Sequence, residues 1–131
     1  MEEFYSKLSK RIDNKSVQGE RECRLWVGSK SAAGYGRMSV IWPNFTPVMG
    51  KSQTVIKVHR LVMMIKFKFT PLTFPMNNIN GLQVECSHLC HNKCCVNPEH
   101  ITIETHEINM LRCHCKLQKM CSKDHTPHCI L

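Results

Sequence analysis

The strongest constraint on this chain is the concentration of cysteine and histidine toward its end. Eight of the nine cysteines and seven of the eight histidines lie from residue 86 onward, and only Cys23 and His59 precede them. The opening, MEEFYSKLSK, has two acids and no apolar run, so we expect no secretory signal peptide and an intracellular, reducing location. There, cysteine mixed with histidine indicates zinc rather than disulfides, and zinc stabilises small domains with a modest core.

The first metal-ligand spacing is Cys90-x4-Cys95-x4-His100, which offers three zinc ligands from one short segment. Tetrahedral zinc needs a fourth ligand, and the isolated Cys23 is the obvious candidate. The alternative is that Cys23 is a buried small hydrophobic residue. Two further side chains in the same segment compete as ligands: Cys94 and His91.

The second spacing is Cys115-x5-Cys121-x3-His125-x3-Cys129, a complete ligand set within fifteen residues. Three neighbours could substitute for individual members of this set: Cys113, His114 and His128. The tail from Cys113 is too short and polar to fold without a ligand, because metal binding in such a segment supplies its folding free energy.

The charge pattern favours a polyanion as partner. The net charge is +8, and no Asp or Glu occurs between Cys23 and Val84. Eight cations lie in that stretch: Arg24, Lys30, Arg37, Lys51, Lys57, Arg60, Lys66 and Lys68. A basic protein can simply be soluble, but an acid-free run of this kind is better suited to nucleic acid, because each neutralised phosphate releases counterions.

The patterning predicts one small α+β domain over residues 1–131. The longest strongly apolar stretch, Leu61–Ile65, has five residues, far below the roughly 20 that a bilayer requires, so no membrane partner is expected. Apolar spacing predicts a helix over 2–13, and Thr105 can cap a second helix over 106–112. The predicted strands are 23–27, 35–42, 54–58, 82–87 and 101–103. For 59–67, both a continued strand and a helix stay open.

Two residues of the 86–112 region are left over once zinc ligands are chosen. His88 lies beside the first metal loop, and its ordinary pKa near 6.5 suits it to take a proton from water. Asn109 lies on the second predicted helix, and its amide oxygen is a neutral ligand suited to magnesium. The alternatives are a structural histidine and a solvated asparagine.

Three runs of residues follow one another closely in this region: Asn78-Ile79-Asn80-Gly81, Ser87-His88-Leu89-Cys90-His91-Asn92 and Cys95-Val96-Asn97-Pro98-Glu99-His100. Together they resemble the His-Cys box homing endonucleases. The pattern is NING-x5-SHLCHN-x2-C-x-NP-x-H, and an asparagine, Asn109, follows nine residues later. The resemblance is strong over 78–129. Over 1–77 only Cys23, Gly34-Tyr35-Gly36 and Val58-His59-Arg60 align with the family.

The resemblance implies a zinc-stabilised ββα-metal, or His-Me finger, fold with short antiparallel sheets and two structural zinc sites. Residues 1–77 would form an N-terminal helix and a basic DNA-facing sheet, 78–112 the active-site motif, and 113–131 the second zinc loop. The first zinc would be bound by Cys23, Cys90, Cys95 and His100. The second would be bound by Cys115, Cys121, His125 and Cys129.

The resemblance also implies an activity: hydrolysis of phosphodiester bonds in double-stranded DNA. His88 would be the general base and Asn109 the ligand of a catalytic Mg²⁺. Arg112 or Arg37 would offset charge on the phosphoryl oxygens. The residues expected to contact DNA are Arg37, Lys51, Lys57 and Arg60.

A second interpretation is a catalytically inactive zinc-binding module, derived from such a nuclease, that binds nucleic acid. The family's homodimer exchanges tails beyond its second zinc, and only Ile130 and Leu131 follow Cys129 here. The sequence therefore leaves a homodimer and a long palindromic target open. We expect the protein in the nucleus.

Overall fold

A helix, α1 (Glu2–Asn14), begins the part of the chain that the computed structural model describes, residues 1–43, 53–121 and 125–131. Tyr5, Leu8 and Ile12 recur on one face of α1 and are buried. Two acids, Glu2 and Glu3, occupy the first turn, where they interact favourably with the helix dipole. The helix predicted over 2–13 is therefore present.

Two short strands follow α1 and pair antiparallel: β1 (Ser16–Gln18) and β2 (Arg24–Trp26). The pattern of alternating residues predicts β2 but not β1. β1 has only three residues, and its pairing with β2, rather than any local pattern, makes it a strand.

A second ribbon pairs β3 (Arg37–Ile41) with β4 (Gln53–Lys57), and β4 runs directly into α2 (Val58–Phe67). The segment left open between strand and helix is therefore helical. Val58, Leu61 and Val62 are buried on α2, at the spacing of one helix face.

A third ribbon pairs β5 (Val84–His88) with β6 (Ile101–Thr105), and α3 (His106–Gln118) follows at once. The Thr105 hydroxyl accepts a hydrogen bond from the Ile108 backbone N–H at 3.4 Å, so it caps α3 as predicted. The order of strand, metal loop, strand and helix is that of the predicted motif. Helix α3 continues six residues beyond its predicted end.

The core lies between α1, α2 and the inner face of the β3–β4 ribbon, with Trp26, Val40 and Leu61 fully enclosed. A second buried cluster is made of cysteines: Cys23, Cys90 and Cys95. None of the described helices is long and apolar enough to cross a membrane. The α+β fold with short antiparallel sheets and two clusters suited to zinc is thus confirmed.

Candidate metal centres and active site

The first metal cluster joins four buried side chains from distant parts of the chain, Cys23, Cys90, Cys95 and His100, whose ligand atoms lie within 4.8 Å of one another. His100 Nδ1 is 3.5 Å from Cys23 Sγ and 3.6 Å from Cys95 Sγ. Sulfur and nitrogen ligands of tetrahedral zinc are roughly 3.5 Å apart, given bond lengths of about 2.3 and 2.0 Å. The cluster therefore fits zinc.

The thiols of this cluster have strongly perturbed pKa values. Hydrogen bonding from Cys90 lowers the pKa of Cys95 to about 4. The same hydrogen bond, together with burial, raises the pKa of Cys90 far above its usual range, and burial raises the pKa of Cys23. One thiolate forms readily, whereas the others require a nearby positive charge to lose their protons. A bound metal ion supplies that charge.

The metal loop is attached to β2 through the backbone. Trp26 N donates to Cys94 O at 2.8 Å, and Val96 N donates to Arg24 O at 2.7 Å. This pairing directs Cys95 into the cluster, while Cys94 Sγ lies 3.6 Å from the Gly34 carbonyl oxygen. The open choice between Cys94 and Cys95 is thereby resolved by geometry in favour of Cys95.

The second metal cluster contains Cys115, Cys121, His125 and Cys129, again with ligand atoms within 4.8 Å of one another. His125 Nε2 is 3.3 Å from Cys115 Sγ, 3.9 Å from Cys121 Sγ and 3.9 Å from Cys129 Sγ. Burial raises the pKa of the Cys129 thiol to about 12, so a cation is needed for its ionisation at neutral pH. Two Cys3His sets suited to structural zinc are thus present.

The competing ligands of the second site lie at its edge. Cys113 is exposed and outside the cluster. His128 Nδ1 lies 3.7 Å from Cys121 Sγ on the exposed side. The tail returns to the first metal loop, where Ile130 N donates to Leu89 O at 2.8 Å, so the two metal clusters are linked by backbone hydrogen bonding.

Arg112 has a different environment from the one its predicted catalytic role requires. Its Nε and Nη2 donate to the two carboxylate oxygens of Glu104 at 2.6 and 2.8 Å, and the two side chains are only 1% and 8% exposed. Its Nη1 donates to Cys129 Sγ at 3.5 Å. A buried guanidinium held by these partners cannot contact a phosphate. Arg112 therefore connects α3 to β6, through Glu104, and to the second metal cluster, through Cys129.

A cavity of about 210 Å³ lies between the β4–α2 junction, the start of β5 and the first turn of α3. It is lined by Tyr35, Lys57, His59, Arg60, residues 74–76, residues 83–86 and Asn109. It is the one described cavity that combines cations, an imidazole and the predicted magnesium ligand, so it is the candidate active site.

His88 lies beside this cavity rather than in its lining. Its Nε2 donates to the Cys95 carbonyl oxygen at 2.9 Å. Because a carbonyl can only accept, Nε2 carries the proton and Nδ1 keeps a lone pair. The His88 ring stacks on Tyr35 at 6.1 Å and lies tilted against His59 at 4.7 Å, and both of these rings line the cavity. Burial lowers the pKa of His88, which favours the neutral form.

His59 also lines the cavity. Its buried Nδ1 has no hydrogen-bond partner among the described residues. Its ring also stacks on Tyr35 at 5.1 Å. Burial lowers the pKa of His59 to about 3. The sequence alone predicts no role for His59, which aligns with the family only as part of Val58-His59-Arg60.

Asn109 is held by Glu85, an acidic residue that is not among the site residues predicted from the sequence. Its Nδ2 donates to Glu85 Oε1 at 2.5 Å, and the same oxygen lies 3.1 Å from His106 Nδ1. The amide oxygen of Asn109 is therefore directed away from Glu85. The sequence contains one indication that Glu85 is unusual: it is the first acidic residue after the acid-free stretch.

The cations expected to contact DNA divide between two surfaces. Lys57 and Arg60 line the candidate active site, over the rings of Tyr35 and Phe74 at 4.9 and 4.5 Å. Arg37 does not, because its Nε donates to Ser29 Oγ at 3.0 Å and it lines a separate cavity. The arginine near the candidate site is thus Arg60. Lys51 lies outside the described residues.

Comparison with known proteins gives one family. No curated protein and no solved structure matches the chain. The family that matches is described as the zinc-binding loop region of homing endonuclease, and the match covers residues 23–131. It includes both metal clusters, the five strands β2 to β6, the helices α2 and α3, and Asn109. The chain belongs to this family of homing-endonuclease zinc-binding loop proteins.

Proposed function

We propose that this protein is a magnesium-dependent DNA endonuclease with a histidine general base. The observation that carries the proposal is the 2.9 Å contact between His88 Nε2 and Cys95 O, which requires Nε2 to donate and leaves Nδ1 as an acceptor. A neutral imidazole with a free lone pair is the group that can remove a proton from water. Membership in a homing-endonuclease family supports this chemistry.

In the proposed reaction, His88 Nδ1 accepts a proton from a water molecule. The water oxygen forms a bond to phosphorus while the bond from phosphorus to the leaving 3′ oxygen breaks. Asn109 Oδ1 would bind Mg²⁺, because it is an amide oxygen free of hydrogen bonds from the described residues. Bound Mg²⁺ supplies positive charge that stabilises the leaving oxygen.

The proposed substrate is double-stranded DNA. Lys57 and Arg60 line the cavity beside Asn109 and can contact phosphate oxygens. Arg60 takes the charge-neutralising role that the resemblance gives to Arg112 or Arg37, because it is the arginine among the described lining residues.

A second candidate function is a zinc-stabilised module that binds nucleic acid without cutting it. One observation favours it: His88 is half-buried and outside the cavity lining that contains Asn109. A general base must reach the water that attacks phosphorus. The two functions therefore differ in one measurable property, cleavage.

The test is nicking of supercoiled plasmid by zinc-loaded protein, with and without added Mg²⁺. We expect cleavage only with Mg²⁺, and His88→Ala should lower its rate by roughly 10²–10⁴-fold. Asn109→Ala should lower the rate as well, with partial recovery at high Mg²⁺, and Asn109→Asp should retain more activity. His114→Ala is the matched control, because His114 is an exposed histidine outside both metal clusters.

The outcome separates the two functions. DNA binding without Mg²⁺-dependent cleavage supports the binding module. If His88→Ala cuts as fast as the parent, the base is another residue. His59 is then the next histidine to test, because it lines the cavity beside Asn109.

A further inference from the structure

Glu85 is the acidic residue among the described residues that line the candidate active site. Its side chain is 31% exposed, so it is accessible to a small ion. Lys57 and Arg60 line the same cavity, yet within the described residues neither forms an ion pair with Glu85. The carboxylate instead contacts His106 Nδ1 and Asn109 Nδ2.

Both contacts of Glu85 use one oxygen. Oε1 accepts from Asn109 at 2.5 Å and from His106 at 3.1 Å. Within the described ranges, Oε2 of Glu85 and Oδ1 of Asn109 have no hydrogen-bond partner. Two open oxygen acceptors, one of them charged, therefore belong to two side chains in direct contact. Carboxylate and amide oxygens are the ligands that hard divalent cations prefer.

We propose that Glu85 is a positioning residue of a divalent-cation site at Asn109 Oδ1. Glu85 has two roles in it: Oε1 orients the Asn109 amide so that Oδ1 is presented, and the carboxylate adds the negative charge that an amide lacks. His106 holds the carboxylate in place from the first turn of α3. This inference rests on the proposed function for the use of the cation, but not for its binding.

The first test measures binding without catalysis. Zinc-loaded protein free of DNA is titrated with Mn²⁺, and free Mn²⁺ is followed by electron paramagnetic resonance. We expect Glu85→Gln to weaken Mn²⁺ binding at least tenfold, the lower end of the effect of removing a supporting partner from a metal site. Glu107→Gln is the matched control, an exposed acid in the same first turn of α3, and it should change binding less than twofold.

Folding is checked by zinc content and circular dichroism of each variant. If Glu85→Gln does not fold, Glu85→Asp replaces it, and it should bind Mn²⁺ more weakly than the parent because its shorter side chain withdraws the oxygens. Equal Mn²⁺ binding by the parent and the Glu85 variant, or no specific binding by the parent, overturns the proposal.

The second test separates this inference from the proposed function. In plasmid nicking, Glu85→Gln should raise the Mg²⁺ concentration for half-maximal rate at least tenfold, with most of the rate restored at saturating Mg²⁺. An unchanged Mg²⁺ dependence in an active enzyme overturns the role of Glu85 and leaves the nuclease intact. The protein could instead bind Mn²⁺ in a way that depends on Glu85 and yet cut no DNA. That result would support the cation site and contradict the nuclease proposal.

Discussion

At the scale of single residues, His59 illustrates how burial sets the charge of a side chain. Burial, with smaller contributions from His88 and Lys57, lowers its pKa to about 3, whereas an unfolded histidine titrates near 6.5. The folded state therefore resists protonation of this ring. The resulting stability is fully present above pH 6.5 and is lost as the pH falls toward the folded pKa.

We expect His59→Gln to make the free energy of unfolding less sensitive to acid. Well below pH 6.5, His59 costs the parent about 1.4 kcal/mol of stability for each unit by which the pH falls, and the variant lacks this contribution. Urea unfolding at several pH values between 6.5 and 4, at constant zinc, measures the difference. Zinc ligands protonate in both proteins, so parallel curves of stability against pH would contradict the role given to His59.

The residues that can be predicted from the sequence are those whose chemistry is local. Cys90, Cys95 and His100 follow from their spacing, because one short loop supplies all three. His59 and Glu85 are recognisable only in the folded chain. Each becomes relevant by contact with a residue more than twenty positions away, His88 and Asn109 respectively, and no spacing rule covers such pairs.

At the scale of elements, the junction of β4 and α2 presents two cations to the candidate active site, Lys57 and Arg60. If these side chains contact phosphates, reversing the charge of either one should weaken binding to all DNA sequences alike. The slope of log affinity against log salt should flatten by about one unit for each phosphate that is no longer neutralised. Fluorescence anisotropy with duplex DNA at several salt concentrations measures this slope.

The control for the junction is Lys10→Glu on α1, an exposed position that is not among the lining residues of the cavity. It changes the net charge by the same amount as Lys57→Glu. If both variants flatten the slope equally, then net charge rather than a local interaction governs binding. An affinity independent of salt would point to a protein partner instead.

A second prediction at this scale concerns the ion pair between β6 and α3. Glu104 and Arg112 are nearly fully buried, and Arg112 also donates to Cys129 Sγ. Removing one partner leaves an unpaired buried charge, so Arg112→Ala or Glu104→Ala should lower the unfolding free energy by about 3–5 kcal/mol. Chemical denaturation at fixed zinc concentration measures the loss.

The same variants distinguish a structural Arg112 from a catalytic one. Arg112→Lys keeps a charge but loses the paired geometry with Glu104. We expect it to release zinc from the second cluster more readily, by roughly 10–100-fold in affinity, because a partner of a metal ligand is disturbed. Unchanged stability and zinc affinity, with a selective loss of cleavage, would instead restore the catalytic role.

Elements of this fold are predictable where their signal is local. α1 and the start of α3 follow from apolar spacing and the Thr105 cap. The sequence does not predict whether α2 is a helix or a strand, because its apolar and β-branched start is compatible with both. β1 exists because it pairs with β2, and a strand of three residues carries no pattern of its own.

At the scale of the whole molecule, the two metal clusters join segments that the sheets leave separate. The three ribbons do not hydrogen-bond into one sheet among the described residues. The first cluster connects Cys23, before β2, to the loop between β5 and β6. The second connects α3 to the tail, and Ile130 then bonds back to Leu89. Bound zinc would therefore add long-range connections to the backbone hydrogen bonds that already join β2 to the metal loop.

The two clusters predict two zinc ions for each chain, and two pairs of cysteines test this. Cys23→Ser and Cys115→Ser each remove a cluster ligand, whereas Cys94→Ser and Cys113→Ser remove thiols outside the clusters. Cys115→Ser should lose one zinc by metal analysis, while the two controls keep both. Structural zinc contributes an apparent binding free energy of about 10–16 kcal/mol at neutral pH, which is as large as the total stability of an ordinary small domain. Cys23→Ser should therefore unfold or aggregate, because it removes the ligand through which a bound metal would join the start of β2 to the metal loop. A folded, soluble parent protein that contains no zinc would exclude the metal-linked architecture.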